Sequence, residues 1–255
     1  MIARPLGIIL VWEDLVFMYR VGVVGCGVGK VHINSFQTLP ERFQVVAVCD
    51  LDAEKATQVA EKFGIPHMTT DVETFYQRHD LDVIDFCTPP YQHFDQITRA
   101  LSHGKHVICE KPLVGSMQQV DQLMETSRRC GRQVMPILQY RYGHGLQKLK
   151  WLVDQGIAGR PYLSTVEVAW RRRADYYASP WRGKWETELG GTLLNHAIHH
   201  LDMLMYITGP ARRVFARTAS LVNPIEVEDC AAISLEMADG SLASLSATLG
   251  SARQI

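Results

Sequence analysis

Two segments far apart in the chain carry side chains able to handle a proton. One is Cys109-Glu110-Lys111-Pro112, an ammonium beside a proline that fixes the turn and removes a backbone donor. The other is Gly190-Gly191-Thr192-Leu193-Leu194-Asn195-His196-Ala197-Ile198-His199-His200-Leu201-Asp202. Read as a helix, it places Asn195, His199 and Asp202 at i, i+4 and i+7, on one shared face. A histidine there can serve as general base at neutral pH, because its unperturbed pKa is about 6.5. The paired glycines allow another backbone or a ligand to approach closely. His196 and His200 make a second i, i+4 pair that would suit zinc, but no third ligand stands at a fitting spacing, so no metal is expected. Packing, capping and solvation are the ordinary roles of such residues, and they stay open for each one.

A third motif would hold phosphate. A β-branched run at 20–24 leads straight into Gly25-Cys26-Gly27-Val28-Gly29-Lys30, and a helical pattern follows. Glycines at such a bend permit a tight turn and let the backbone approach a pyrophosphate resting on the helix N-terminus. Asp50 closes the second strand-like run, where a carboxylate can accept the ribose hydroxyls of an adenosine. Leu51 follows it, not arginine, so no adjacent cation is expected for a 2′-phosphate, which favours NAD over NADP. The usual third glycine would fall at Lys30, and Gly29 comes one residue early. A purely structural turn is the alternative.

These motifs need elements to hold them. From residue 19 the chain alternates short apolar runs with helical stretches, as in a parallel sheet wrapped by helices. Strands are expected at 20–24, 44–49, 83–87, 106–109 and 133–138, and helices at 31–39, 53–63, 75–79, 94–103 and 117–130. Gly64, Gly104 and Gly131 stand where helix C-caps belong. In such sheets the carboxyl ends of the strands form the ligand crevice, which places Lys111 there. Thr88-Pro89-Pro90-Tyr91-Gln92-His93 ends another strand at the same edge, a stiff loop suited to line a nicotinamide pocket.

After residue 140 the pattern changes. A helix at 146–155, a strand at 162–170, a polar aromatic loop at 171–188 and a helix at 192–207 precede three strands at 214–222, 230–238 and 241–249. Asp239-Gly240 is a good hairpin turn between the last two. This reads as an open, mostly antiparallel sheet with helices on one side, the final strand left as an exposed edge. The fold class is α/β, a doubly wound Rossmann sheet at 19–140 followed by an α+β domain at 141–255. Residues 1–18 read as an N-terminal extension.

Composition bounds the possibilities. The chain has 255 residues, enough for two domains, and 26 Lys plus Arg against 27 Asp plus Glu leave no global field for nucleic acid or an anionic membrane. The apolar stretch at 6–12 is too short to cross a bilayer. Six scattered cysteines form no C-x-x-C pair and read as buried reduced thiols of a cytoplasmic protein.

Taken together, residues 25–29, Asp50, Thr88 to His93, Glu110-Lys111-Pro112 and the 190–202 segment resemble the Gfo/Idh/MocA oxidoreductase family, which includes glucose-fructose oxidoreductase and inositol 2-dehydrogenase. The resemblance runs from about residue 20 to the end. It implies a dehydrogenase that moves hydride between a secondary alcohol of a sugar, cyclitol or nucleotide-sugar and NAD. Lys111 would hydrogen-bond the reacting hydroxyl, and His199 would take its proton. Asn195 stands where the family often has aspartate; it can orient a hydroxyl or the imidazole without adding charge. Gly25, Gly27, Val28, Gly29, Asp50, Thr88, Pro89, His93, Glu110 and Lys111 would contact the cofactor. Tyr140, Arg141, Trp181, Arg182 and Trp185 would join Asn195 and His199 at the substrate, with aromatic faces for a sugar ring and a guanidinium for a carboxylate or phosphate. A non-catalytic NAD-binding sensor and an NAD-dependent glycosidase are the alternatives the family offers. The chain is shorter than usual for the family, and a homo-oligomer is expected if the second sheet is complete.

Overall fold

The computed structural model describes residues 17–252, so residues 1–16 of the expected extension lie outside the described residues. The chain divides into two compact units, Met1–Val83 and Ile84–Ile255.

The first unit holds β1 (Tyr19–Val24), α1 (Gly29–Gln37), β2 (Phe43–Cys49), α2 (Ala53–Phe63), β3 (His67–Thr69) and α3 (Glu73–Gln77). β1 runs parallel to β2, and β2 to β3, with a register shift at Val21/Gly22. Gly22 is required there: a Cβ would meet the Phe75 ring at 2.7 Å. Val21, Val23, Ala47 and Val48 are fully buried, as strands covered on both faces demand. Asp52 caps α2 by accepting from the Lys55 amide, and Gly64 closes it at φ 64°. The three-residue β3 went unpredicted, being too short to carry a period. The helix expected at 75–79 begins two residues earlier.

The second unit holds β4 (Val83–Phe86), which starts at the division, α4 (His93–Ser102), β5 (His106–Cys109), α5 (Met117–Cys130) and β6 (Val134–Pro136). β4, β5 and β6 lie side by side in that order, β5 pairing in parallel with β6. Then come α6 (His144–Asp154), β7 (Leu163–Ala169), α7 (Trp185–Glu188), a π-helical turn (Leu193–Ala197), α8 (Ile198–Thr208), β8 (Ala211–Ala219), β9 (Cys230–Met237) and β10 (Leu242–Thr248).

The second sheet has the order β7-β10-β9-β8. Its inward residues, among them Val168, Ile233, Leu235, Met237 and Leu245, pack with Ala197 and Leu204 of the helical segment. β9 and β10 alternate buried with exposed positions, so one face is covered. The expectation that the final strand forms the sheet edge is corrected. The Asp239-Gly240 turn, with Gly240 at φ 85°, pairs β10 with β9, and β7 adds in parallel on its other side over seven residues. The edges are β7 and β8. Among the described residues, no helix is long and apolar enough to cross a membrane.

Candidate active site

In the first unit the glycine turn is short. Gly25 adopts φ 98°, and α1 starts at Gly29 with no acidic residue in its first turn, leaving the helix N-terminus fit for an anion. Lys30, at the position of the missing glycine, is exposed. Asp50 accepts from the Cys26 amide at 2.7 Å and the Asp52 amide at 3.1 Å. Burial alone would raise its carboxyl, but these bonds and Lys55 hold it below its ordinary value. The Lys55 Nζ lies 3.0 Å from Oδ2. The expectation of no cation near Asp50 is therefore corrected: α2 begins at Ala53, and the first turn brings Lys55 back to the carboxylate.

In the second unit, the loop after β4 is latched by His93. Its Nδ1 lies 2.8 Å from the Pro112 carbonyl and its Nε2 2.9 Å from that of Thr88. The ring is completely buried, and burial lowers its pKa. The reading of His93 as a cofactor contact is corrected: it is a strut between two loops. The Thr88 hydroxyl pairs with Gln96 at 2.6 Å, and Pro89 is half-buried beside it.

β5 delivers Glu110 and Lys111, followed by a cis bond to Pro112. The Lys111 amide donates to the Glu110 carboxylate at 3.0 Å, and its Nζ donates to the Asn195 carbonyl at 2.7 Å. Burial lowers the ammonium pKa, opposed by Glu110 and helped by Arg182. Lysine and histidine segments thus meet within one unit. His199 is buried at 4% exposure, and its Nδ1 has no hydrogen-bond partner. Burial and the Lys111 charge pull its pKa from 6.5 down to about 4, so the imidazole is neutral at physiological pH and able to accept a proton. The Tyr140 ring stacks on it at 4.4 Å.

The helix carrying His199 is pinned by a residue from another element. The Glu228 carboxylate accepts from the amides of Gly191 at 2.9 Å and Leu193 at 3.0 Å, capping the helix with negative charge. Gly191 is pressed so closely on Glu228 that a Cβ would lie 1.8 Å from its carbonyl oxygen. The close approach foreseen for the glycine pair is thus to backbone. The single α-helix expected at 192–207 opens as a π turn instead, a feature frequent at functional sites. Asn195 lies in it, its NH2 donating to the carbonyls of Gly190 at 2.6 Å and Glu188 at 3.2 Å.

Other expected substrate contacts are already engaged. The Arg141 Nε donates to Asp202 at 2.9 Å and its second nitrogen to the other oxygen, so its fork is filled. The expectation of a free Arg141 is corrected: a carboxylate six residues before the end of α8 reaches it first. Arg182 pairs with buried Glu188 at 3.1 Å and lies over the rings of Tyr176 and Trp181. Trp185 is exposed on α7. His196, the candidate zinc residue, receives a hydrogen bond from the Arg172 Nε at 3.2 Å and has the Tyr176 hydroxyl at the same distance. Burial, then Arg172 and Lys111, lower its pKa to about 2.

The family model described as the oxidoreductase family with NAD-binding Rossmann fold matches residues 19–138, and that of the GFO/IDH/MocA C-terminal domain matches 146–254. The chain belongs to the Gfo/Idh/MocA oxidoreductase family. It is 31% identical over 192 residues to D-glucoside 3-dehydrogenase of Escherichia coli, covering 74% of this chain and 54% of that protein. It is 28% identical over 228 residues to an uncharacterized oxidoreductase of Bacillus subtilis, covering 87% and 64%. The WlbA dehydrogenase from Bordetella pertussis, solved with NADH and UDP-GlcNAcA, superimposes with TM-score 0.88 at 31% identity, covering 93% of this chain and 73% of that one. This chain spans about half to two thirds of the length of those two curated relatives.

Within this Gfo/Idh/MocA chain, sequence reasoning missed Lys55, Arg172, Tyr176, Glu188 and Glu228. Arg172 had a signal, the Arg171-Arg172-Arg173 run after β7, whose middle member alone is turned from solvent. Glu228 had none, for it lies 37 positions from the amide it caps.

Proposed function

We propose that this chain carries the active site of a dehydrogenase that moves hydride between a secondary alcohol of a sugar, cyclitol or nucleotide-sugar and NAD. The observation that carries this reading is the meeting of Lys111 with the segment of His199, a half-buried ammonium bonded to the Asn195 carbonyl and close enough to lower the pKa of a neutral imidazole. The Asn195 carbonyl takes one of the three ammonium hydrogens, leaving two to donate to a substrate oxygen and favour its alkoxide. His199 receives the hydroxyl proton at a ring nitrogen, with Tyr140 stacking to hold the ring plane. Glu110 keeps the lysine charged against burial.

The turn at 25–29 and Asp50 would hold the dinucleotide in the first unit, by helix amides and by a carboxylate for the ribose. The bound nicotinamide supplies the hydride acceptor. A domain boundary near residue 140 separates cofactor-binding and substrate-binding parts in this reading, and a homo-oligomer follows if the second sheet is complete.

A screen of sugars, inositols and UDP-sugars with NAD and NADP, followed at the nicotinamide absorbance in the full reading frame, tests it. Substrate-dependent NADH formation that disappears in Lys111→Ala is the expected result. Equal rates in that variant would remove the role given to Lys111, and cofactor binding without turnover of any polyol would favour a sensor.

A further inference from the structure

Arg172 differs from Arg141 and Arg182, the other two arginines near the histidine helix. Arg141 is matched by Asp202 and Arg182 by Glu188, whereas Arg172 has no carboxylate within ion-pair distance among the described residues. Its contacts are neutral: Nε donates to His196 at 3.2 Å and Nη1 to the Arg171 carbonyl at 3.2 Å. The guanidinium lies 4.8 Å from the Trp170 ring centroid and 4.9 Å from that of Tyr176.

The group is held rigidly. The Arg182 guanidinium covers the Tyr176 ring at 3.9 Å and donates to its hydroxyl, and the buried Glu188 fixes Arg182 in turn. A half-buried guanidinium clamped by aromatic rings has given up rotamer freedom without gaining a counter-charge. It also lies close enough to Lys111 for its charge to lower the ammonium pKa. A like charge kept near a catalytic cation is unfavourable until an anion enters between them.

We propose that Arg172 receives an anionic substituent, a carboxylate or phosphate, on the same substrate whose carbinol lies at Lys111 and His199. This inference rests on the dehydrogenase reading and narrows its substrate class to acidic sugars or sugar phosphates. A bidentate guanidinium–oxyanion pair in a partly dry site contributes about 1.5–3 kcal/mol, or roughly 10- to 150-fold in specificity.

The test compares matched substrates with the full-length enzyme: a uronic acid, the hexose that differs only by a CH2OH, and the hexose phosphate, free and as UDP conjugates. Arg172→Gln keeps a donor for His196 while removing the charge; Arg172→Lys keeps charge without the planar fork. The kcat/KM ratio of anionic to neutral substrate should fall about 10- to 100-fold in Arg172→Gln. Lysine should restore it for the phosphate more than for the carboxylate, which separates the two sources of anion. Calorimetric binding of glucuronate and of inorganic phosphate to the NADH-loaded protein gives a readout free of turnover, and the melting temperature confirms that each variant is folded. Equal losses for neutral and anionic substrates, or binding of both anions unchanged by Arg172→Gln, would overturn the assignment of Arg172. Failure of the dehydrogenase reading is seen separately, as NADH binding with no substrate-dependent nicotinamide reduction for any member of the series, neutral or anionic.

Discussion

The Lys111 ammonium donates to the main-chain carbonyl of Asn195 at 2.7 Å, across 84 positions of sequence. Asn195 sits in the π turn, so a local irregularity of the helix presents an acceptor that aims the lysine. The bond fixes an otherwise flexible four-carbon chain before substrate arrives.

Lys111→Ala should therefore act on chemistry and not on the dinucleotide. Turnover is expected to fall about 10³-fold, the scale of losing one pre-aimed donor to a developing oxyanion. Fluorescence titration should find NADH binding within about threefold of wild type. A large loss of NADH affinity would move the lysine's role to cofactor binding.

His199 makes stability depend on pH. Its folded pKa of about 4 lies below the unfolded value of 6.5. Between those values the unfolded chain holds a proton that the folded chain does not, so stability is highest above pH 6.5 and falls as pH drops toward 4. At pH 5 this residue costs about 2 kcal/mol relative to pH 7. Urea unfolding of wild type and His199→Asn at both values checks it: the variant should lose less on acidification. Parallel losses would mean an unshifted histidine.

The Gly191–Glu228 contact leaves no space for a methyl group, with 1.8 Å to a backbone carbonyl. Gly191→Ala should destabilise by about 3 kcal/mol and disturb the helix holding His199. Glu228→Gln keeps the shape and loses the charge at the helix start, at about 1 kcal/mol. Calorimetric melting of the two variants should rank them in that order.

Asp50 tests the preference for NAD. Its carboxylate would repel a 2′-phosphate, and Lys55, at 3.0 Å, would then be free to attract one. Asp50→Ala should weaken NADH binding about tenfold and strengthen NADPH binding, and adding Lys55→Met should abolish the second effect. Titration of both nucleotides reads it directly. Unchanged discrimination would remove Asp50 from the ribose site.

What the amino-acid order alone determined was local. Apolar runs marked β1, β2, β4 and β5, glycines marked the caps at Gly64 and Gly131, and Asp239-Gly240 marked the hairpin, because period and dihedral preference act over a few residues. The glycine turn, the lysine and the histidine helix were recognisable by the same short-range rules. The partner of each charge was not. Arg141 is filled by Asp202, Lys55 reaches Asp50, and Arg172 has no carboxylate within ion-pair distance among the described residues. The π turn and the Glu228 cap belong with these, since both depend on backbone brought from elsewhere in the chain. Coulomb and hydrogen-bond energies follow distance in space, and distance along the chain does not set it. Only the folded arrangement decides which cation is already neutralised and which still awaits an anion.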